Sequence, residues 1–184
     1  MRVLFRGGVT GLVAAVCVLT SSFALPAAAQ TSPAAAPDWS RWSFLLGEWV
    51  GDGAGQPGQG VGSFAFSLDL QKQVIVQRGR SDFPAAAGRP AFSQESLMVI
   101  YKKPGLPEKA IYFDNEGHVI EYVASLADDG NSVTFISSWD FSTPIYRLTY
   151  AKAGGDSLTV KLEMASSESP SDFKPYLEGR ARRK

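Results

Sequence analysis

From residue 60 onward the chain repeats one device: apolar residues at every second position, followed by a cluster of glycine, proline, asparagine or aspartate. Phe64, Phe66 and Leu68 alternate with Ser63, Ala65 and Ser67, and Leu97, Val99 and Tyr101 alternate with Ser96, Met98 and Ile100. Val133 and Phe135, then Tyr146, Leu148 and Tyr150, then Leu158, Val160, Leu162 and Met164 continue the pattern. A period of two sends alternate side chains to opposite faces of an extended chain, so these runs read as strands. Lys103-Pro-Gly105, Asp114-Asn-Glu-Gly117, Asp128-Asp-Gly-Asn131 and Gly154-Gly-Asp156 separate them and carry hairpin chemistry. Nothing after Trp49 has the periodicity of a long helix. Ten strands are predicted, near residues 48–55, 60–69, 73–80, 94–103, 109–114, 118–127, 132–138, 145–153, 157–165 and 174–183.

Short strands joined by hairpins form an antiparallel meander. A flat sheet of that width leaves two unpaired edges, and closing the meander on itself removes them. The predicted fold is therefore all-β, an up-and-down barrel of about ten strands with a short N-terminal helix; a sandwich is the alternative. A barrel of more than about eight strands encloses more room than its own side chains fill, so a cavity is expected.

The first residues address the compartment. Arg2 and Arg6 precede an apolar run at 9–19, and Ala27-Ala28-Ala29 offers the small residues at which a signal peptidase cuts. Residues 1–29 are read as a signal peptide cleaved near Ala29, which places the mature chain in the periplasm or outside the cell. The apolar run is short for a bilayer span, and no transmembrane segment is expected in the mature chain. Cys17 follows Val16 rather than a small residue, which argues against lipoprotein processing. Cleavage removes the only cysteine and leaves 16 basic against 18 acidic side chains. Disulfides and thiolate metal sites are then unavailable, and the core must stabilise the domain unaided. Scattered charge of both signs gives no footprint for nucleic acid. The basic end Arg180-Ala-Arg182-Arg183-Lys184 reads as a solvated tail.

Residues 30–37 read as a flexible linker into a single domain at 38–184. Asp38 is placed to cap a short helix, with Trp39, Trp42 and Leu46 on one side of it. Gly53-Ala-Gly55-Gln-Pro-Gly58 then satisfies a dinucleotide-binding pattern in form. That pattern needs a following helix to aim its amides at a pyrophosphate, whereas here Pro57 intervenes and a strand follows. The glycines are read instead at spacing two: Gly47, Trp49, Gly51, Gly53 and Gly55 share one face of the first strand, where missing side chains allow a sharp bend or close approach.

A capped helix and Gly47-Glu48-Trp49 opening a ten-strand meander behind a signal peptide resemble the calycin superfamily of lipocalins, fatty-acid-binding proteins and their relatives. Within it, "LLGEWVGDGAG" is similar to the opening of nitrobindin-like small barrels, and "AIYFDNEGHVIEY" and "FKPYLEGRARR" resemble uncharacterised bacterial relatives. The resemblance spans residues 38–183. It implies a small apolar ligand inside the barrel, with Trp49 packed across the closed end and Trp42, Gly47 and Trp49 structural. Nitrobindins hold haem through a histidine in the C-terminal part of the chain and are credited with peroxynitrite isomerisation. No histidine follows His118 here. No cofactor is therefore expected, haem being the alternative.

Individual residues keep several readings. His118, the only histidine, is a rim residue, a ligand contact or a haem ligand; alone it cannot assemble a zinc site, and no metal is expected. Arg147 lies between Tyr146 and Leu148: outward it is a surface charge, inward it would hold a carboxylate. Tyr112, Tyr122 and Tyr146 suit a greasy pocket with a few orienting hydroxyls, or an ordinary core. Tyr112, His118, Tyr122, Tyr146 and Arg147 are the candidate ligand contacts. No nucleophile elbow and no carboxylate pair at a demanding spacing is present, so no catalytic residue is assigned. The expected function is non-enzymatic binding or transport of a small hydrophobic or amphipathic molecule in the bacterial envelope. A haem-dependent isomerase and a structural or partner-binding β domain are the alternatives.

Overall fold

The computed structural model describes residues 35–52, 61–85, 88–138 and 144–184, all within one unit, Ala35–Lys184. The predicted signal peptide and linker residues 30–34 lie outside the described residues. A single 3-10 turn, Ser40–Trp42, precedes ten strands: β1 (Gly47–Gly51), β2 (Val61–Asp69), β3 (Val74–Phe83), β4 (Phe92–Tyr101), β5 (Lys109–Asp114), β6 (Val119–Leu126), β7 (Ser132–Ser137), β8 (Ile145–Lys152), β9 (Ser157–Ala165) and β10 (Lys174–Arg183). Each pairs antiparallel with its neighbours in sequence, and β1 also pairs with β10, so the sheet closes into a barrel. No helix among the described residues is long and apolar enough to cross a membrane.

The alternation read from sequence is the alternation of the wall. Phe66, Ile75, Ile100, Ala110, Ala124, Val133, Phe135 and Tyr150 face inward and are buried. Gly47, Trp49 and Gly51 alternate on β1 as expected, with Trp49 2% exposed. Gly53 and Gly55, also placed on that strand, lie outside the described residues. β3 and β4 run further toward their connection than predicted because Phe83 and Phe92 pair across the strands with their rings stacked at 4.6 Å.

The expected short helix is reduced to one 3-10 turn. Asp38 accepts the Ser40 N–H at 2.9 Å, but the N-cap of the turn is Trp39, which makes no side-chain capping bond, so the cap expected at Asp38 lies one residue later. A 3-10 turn eclipses residues three apart, so Trp39, Trp42 and Leu45 become buried, where α-helical spacing had selected Leu46. These side chains plug one end of the barrel: Trp42 lies 6.0 Å from Phe135 and edge-on to Trp39 at 5.9 Å. The Trp39 indole donates to the Lys72 carbonyl at 2.8 Å, tying the plug to the β2–β3 turn.

Arg183 reinforces the seam between β1 and β10. Its guanidinium lies 4.4 Å from the Trp49 ring and donates to the Leu46 carbonyl at 2.6 Å, with a longer contact of 3.4 Å to that of Phe44. Gly47, at φ +120°, leaves the space this head group occupies; a Cβ there would collide with it. The last strand is thereby fastened to the chain entering the first.

The β2–β3 turn carries no glycine or proline, yet Leu70, Gln71 and Lys72 have φ of +48°, +56° and +67°. Left-handed backbone costs a residue with a Cβ about 1–2 kcal/mol. Asp69 accepts the Leu70 N–H, and the Lys72 carbonyl is held by Trp39. Gln71 is exposed. Gln71→Gly is therefore expected to raise stability, by up to about 1 kcal/mol after the added chain entropy of glycine. Urea unfolding curves of the two proteins check this.

Candidate functional site

The interior is not filled evenly. At the plugged end, Trp42, Ile75, Ile100, Val133, Phe135 and Leu158 are 0–1% exposed. Toward the opposite end, inward-facing Tyr112, Tyr146, Leu148, Val160, Leu162 and Met164 are only half-buried, and Leu177 is 53% exposed. Gly179 pairs with Val160 on the same inward face, and a Cβ built on it meets nothing within 4 Å. Side chains that point into a barrel and still reach solvent line a lumen open at that end.

Two walls of this lumen differ. On β8, β9 and β10 it presents Leu148, Leu162, Met164 and Leu177. On β3, β4 and β5, cross-strand register brings Gln77, Ser96, Tyr112 and Asp114 together. Gly79 makes this arrangement possible, because a Cβ there would lie 2.6 Å from the Ser96 hydroxyl and 2.9 Å from the Gln77 amide nitrogen. Gln77 is 5% exposed, a buried amide among apolar neighbours. The Tyr112 hydroxyl donates to Asp114 Oδ2 at 3.3 Å. Burial foremost, and then the Asp114 charge, push the Tyr112 phenol up to about 12, so it stays protonated.

Asp114 is the inward carboxylate of this wall, its side chain 2% exposed. It accepts the backbone N–H groups of Glu116 and His118 at 3.0 Å each, and His118 Nδ1 lies 2.9 Å from Oδ2. Burial alone would raise its pKa; the hydrogen bonds from His118 and Glu116 outweigh this and hold it below the ordinary value. Asp114, Glu116 and His118 bring one ligand atom each within 4.8 Å, but Glu116 and His118 are exposed and the Asp114 oxygens already cap the turn.

Of the residues predicted from sequence, Tyr112, Tyr122 and Tyr146 converge inside the barrel. Tyr122 is the deepest, 4% exposed and 6.1 Å from the Phe135 ring, and burial raises its phenol well above the usual range. His118 stands on the rim, its side chain 57% exposed, with Nδ1 turned to Asp114. Trp42, Gly47 and Trp49 occupy the plugged end. Arg147 does not join the lumen: it lies on the outer face, its Nε 2.7 Å from Glu163 and its guanidinium 4.0 Å from the Phe173 ring. The outward one of its two sequence readings is the one observed. Sequence reasoning missed Gln77, Gly79, Ser96 and Asp114, which lie on three strands and meet only through register. A groove of about 460 Å³ on the outer face of β1–β3 is lined by outward-facing charged residues, including Arg80 paired with Asp82 and Glu95, and Lys184 paired with Glu48.

The chain matches no protein-family model and no curated protein. Among solved structures it is similar to the crystal structure of Rv2717c from M. tuberculosis, with a TM-score of 0.55, 14% identity, and coverage of 81% of this chain and 98% of that one. At that identity the likeness is one of fold.

The outer-face ion pairs set an acid limit. Glu163, with its side chain 7% exposed, is held between Arg147 and Lys161 at 2.7 and 2.8 Å. The Arg147 hydrogen bond above all lowers its pKa from 4.5 to about 2. A depressed carboxylate contributes stability that is complete above its unfolded pKa and is lost as pH falls through the folded one. The stability advantage of the wild type over Glu163→Gln is therefore expected at pH 7 and should shrink between about pH 4.5 and 2. Urea midpoints across that range check it.

Proposed function

We propose that this barrel binds a small hydrophobic or amphipathic molecule in its lumen and does not transform it, acting in the bacterial envelope. One observation carries the reading: the inward-facing residues of the open half remain reachable by solvent, with free space over Gly179, while the plugged half is packed solid. A structural barrel has no need of that difference. The Gly47-Glu48-Trp49 opening, the Trp49 ring at the closed end and the ten-strand closure support kinship with calycins. Arg2, Arg6, the apolar run at 9–19 and the alanines at 27–29 support export.

The donor set does not fit haem held as the nitrobindin resemblance implies. The inward faces of β8, β9 and β10 carry tyrosine, leucine, valine, methionine, glycine, alanine and, at strand ends, Lys152 and Lys174, and the chain has no histidine beyond His118. His118 sits on the rim and is turned to Asp114. We infer that binding here proceeds without haem, and a haem titration that yields no Soret shift dependent on His118 is the matching result.

The neutral fluorophore N-phenyl-1-naphthylamine should brighten on adding the protein, with saturation at one equivalent. Gly179→Trp, which fills open space without meeting a neighbour, should weaken that binding about tenfold or more while leaving the circular dichroism spectrum unchanged. An unaltered affinity in the variant would place the fluorophore outside the lumen. Protein recovered from the envelope of an expressing bacterium should begin at Gln30 by mass spectrometry, and a chain retaining Met1 would refute export with cleavage near Ala29.

A further inference from the structure

The polarity of the lumen wall specifies the head group of its ligand. Tyr112 donates its only hydroxyl proton to Asp114, which lies opposite Ser96 across β4 and β5. That proton is committed, and what the Tyr112–Asp114 pair still offers the lumen is lone pairs. Asp114 is a full negative charge at neutral pH, since its pKa lies below the ordinary carboxylate value. Gln77, 5% exposed, adds an amide beside them.

Positive charge stands on the outer face or at the ends of the barrel rather than along this wall. Arg78, Arg80, Arg147 and Lys161 stand on the outer face of their strands, as register with their neighbours requires. Arg183 is engaged beneath Trp49. Lys174, at the start of β10, is 79% exposed and 3.6 Å from Asp172. Segments 53–60, 86–87 and 139–143, outside the described residues, contain no lysine, arginine or histidine. His118 on the rim is turned to Asp114. A carboxylate or sulfonate head group seated at this wall would meet acceptors and the Asp114 anion, while Arg89, 4.6 Å from the Phe92 ring, and Lys174, opposite Met164, stand exposed at the rim.

We propose, building on the lumen-binding reading above, that this barrel selects amphiphiles whose polar end donates hydrogen bonds, alcohols and amines, and rejects those ending in an anion. The apolar wall of Leu148, Leu162, Met164 and Leu177 takes the hydrocarbon part, and the Gln77–Ser96–Tyr112 side takes the head.

The test is displacement of bound N-phenyl-1-naphthylamine from the full mature chain by dodecanol, dodecylamine and dodecanoate at pH 7.5, below their aggregation limits. Dodecanol and dodecylamine are expected to displace it at concentrations at least about tenfold lower than dodecanoate. Asp114→Asn keeps an oxygen for the Glu116 and His118 N–H groups and removes the charge, and should narrow that gap by improving dodecanoate. Tyr112→Phe, which leaves the turn untouched, should weaken dodecanol about threefold to tenfold and dodecanoate little. Equal displacement by all three, or the best displacement by dodecanoate, overturns the head-group assignment and leaves lumen binding standing. Displacement by none while the fluorophore remains bound overturns the amphiphile class. Absence of fluorophore binding overturns the lumen-binding reading itself, and this inference with it.

Discussion

The Arg183 guanidinium stacked on Trp49 is the contact on which the rest of the molecule hangs. β1 and β10 share only three registered pairs, Trp49 with Arg183, Val50 with Arg182 and Gly51 with Ala181, so backbone pairing at this seam is short. Arg183 extends it past the end of the ladder by donating to carbonyls of Leu46 and Phe44, residues that precede β1. It also caps the outer side of the Trp49 ring, whose indole N–H is held by the Leu45 carbonyl at 2.8 Å. A seam that opened there would expose two strand edges and unseat the aromatic plug together.

From that seam follows the gradient of packing that makes a lumen. Trp39, Trp42 and Leu45 enter the barrel from one end, because the 3-10 turn delivers them immediately before β1, and Trp49 joins them from β1 itself. No comparable apolar segment among the described residues covers the other end. Ten strands enclose a wide interior, and Phe64, Phe66, Phe135 and Tyr150, with centroids 5.3–6.3 Å apart, fill its middle. Beyond that aromatic layer the inward residues, Tyr112 and Tyr146 among them, pack on the core from one side and stay half-buried.

How much of this was legible in the amino-acid order depends on the range of the interaction. Period-two alternation is local, and it predicted nine of the ten strands to within a few residues, with β1 followed only as far as the described residues run. Glycine-bearing turns are local as well: Gly105, Gly117, Gly130 and Gly154 all have positive φ where hairpins were expected. The β2–β3 turn was harder to read because Leu70, Gln71 and Lys72 are held left-handed by tertiary contacts, Trp39 among them, that no turn rule encodes. Gly79, which drew no reading from sequence, is the opening over which Gln77 and Ser96 meet. That meeting needs the register of β3 against β4, and two residues 19 positions apart carry no mark of it. The facing of Arg147 was open for the same reason, since only its pairing with Glu163 decides it.

The separation of charge between the two faces of the sheet follows from desolvation. Outside, cations and carboxylates on adjacent strands neutralise one another at little cost: Arg80 reaches Asp82 and Glu95, and Arg147 with Lys161 embraces Glu163. Inside, a charge has no counter-ion and must be satisfied by dipoles. Asp114 meets that condition because it sits where β5 ends, within reach of the two backbone N–H groups of its own turn, the His118 ring and the Tyr112 hydroxyl. One strand position deeper toward the plug, those N–H groups would belong to the sheet ladder and the carboxylate would be stranded. The same geometry orients the Tyr112 proton toward the rim and leaves its lone pairs to the lumen. The chemistry of the cavity wall is thus set at the turn that ends β5, and the barrel needs no other buried charge to give its interior a polar side.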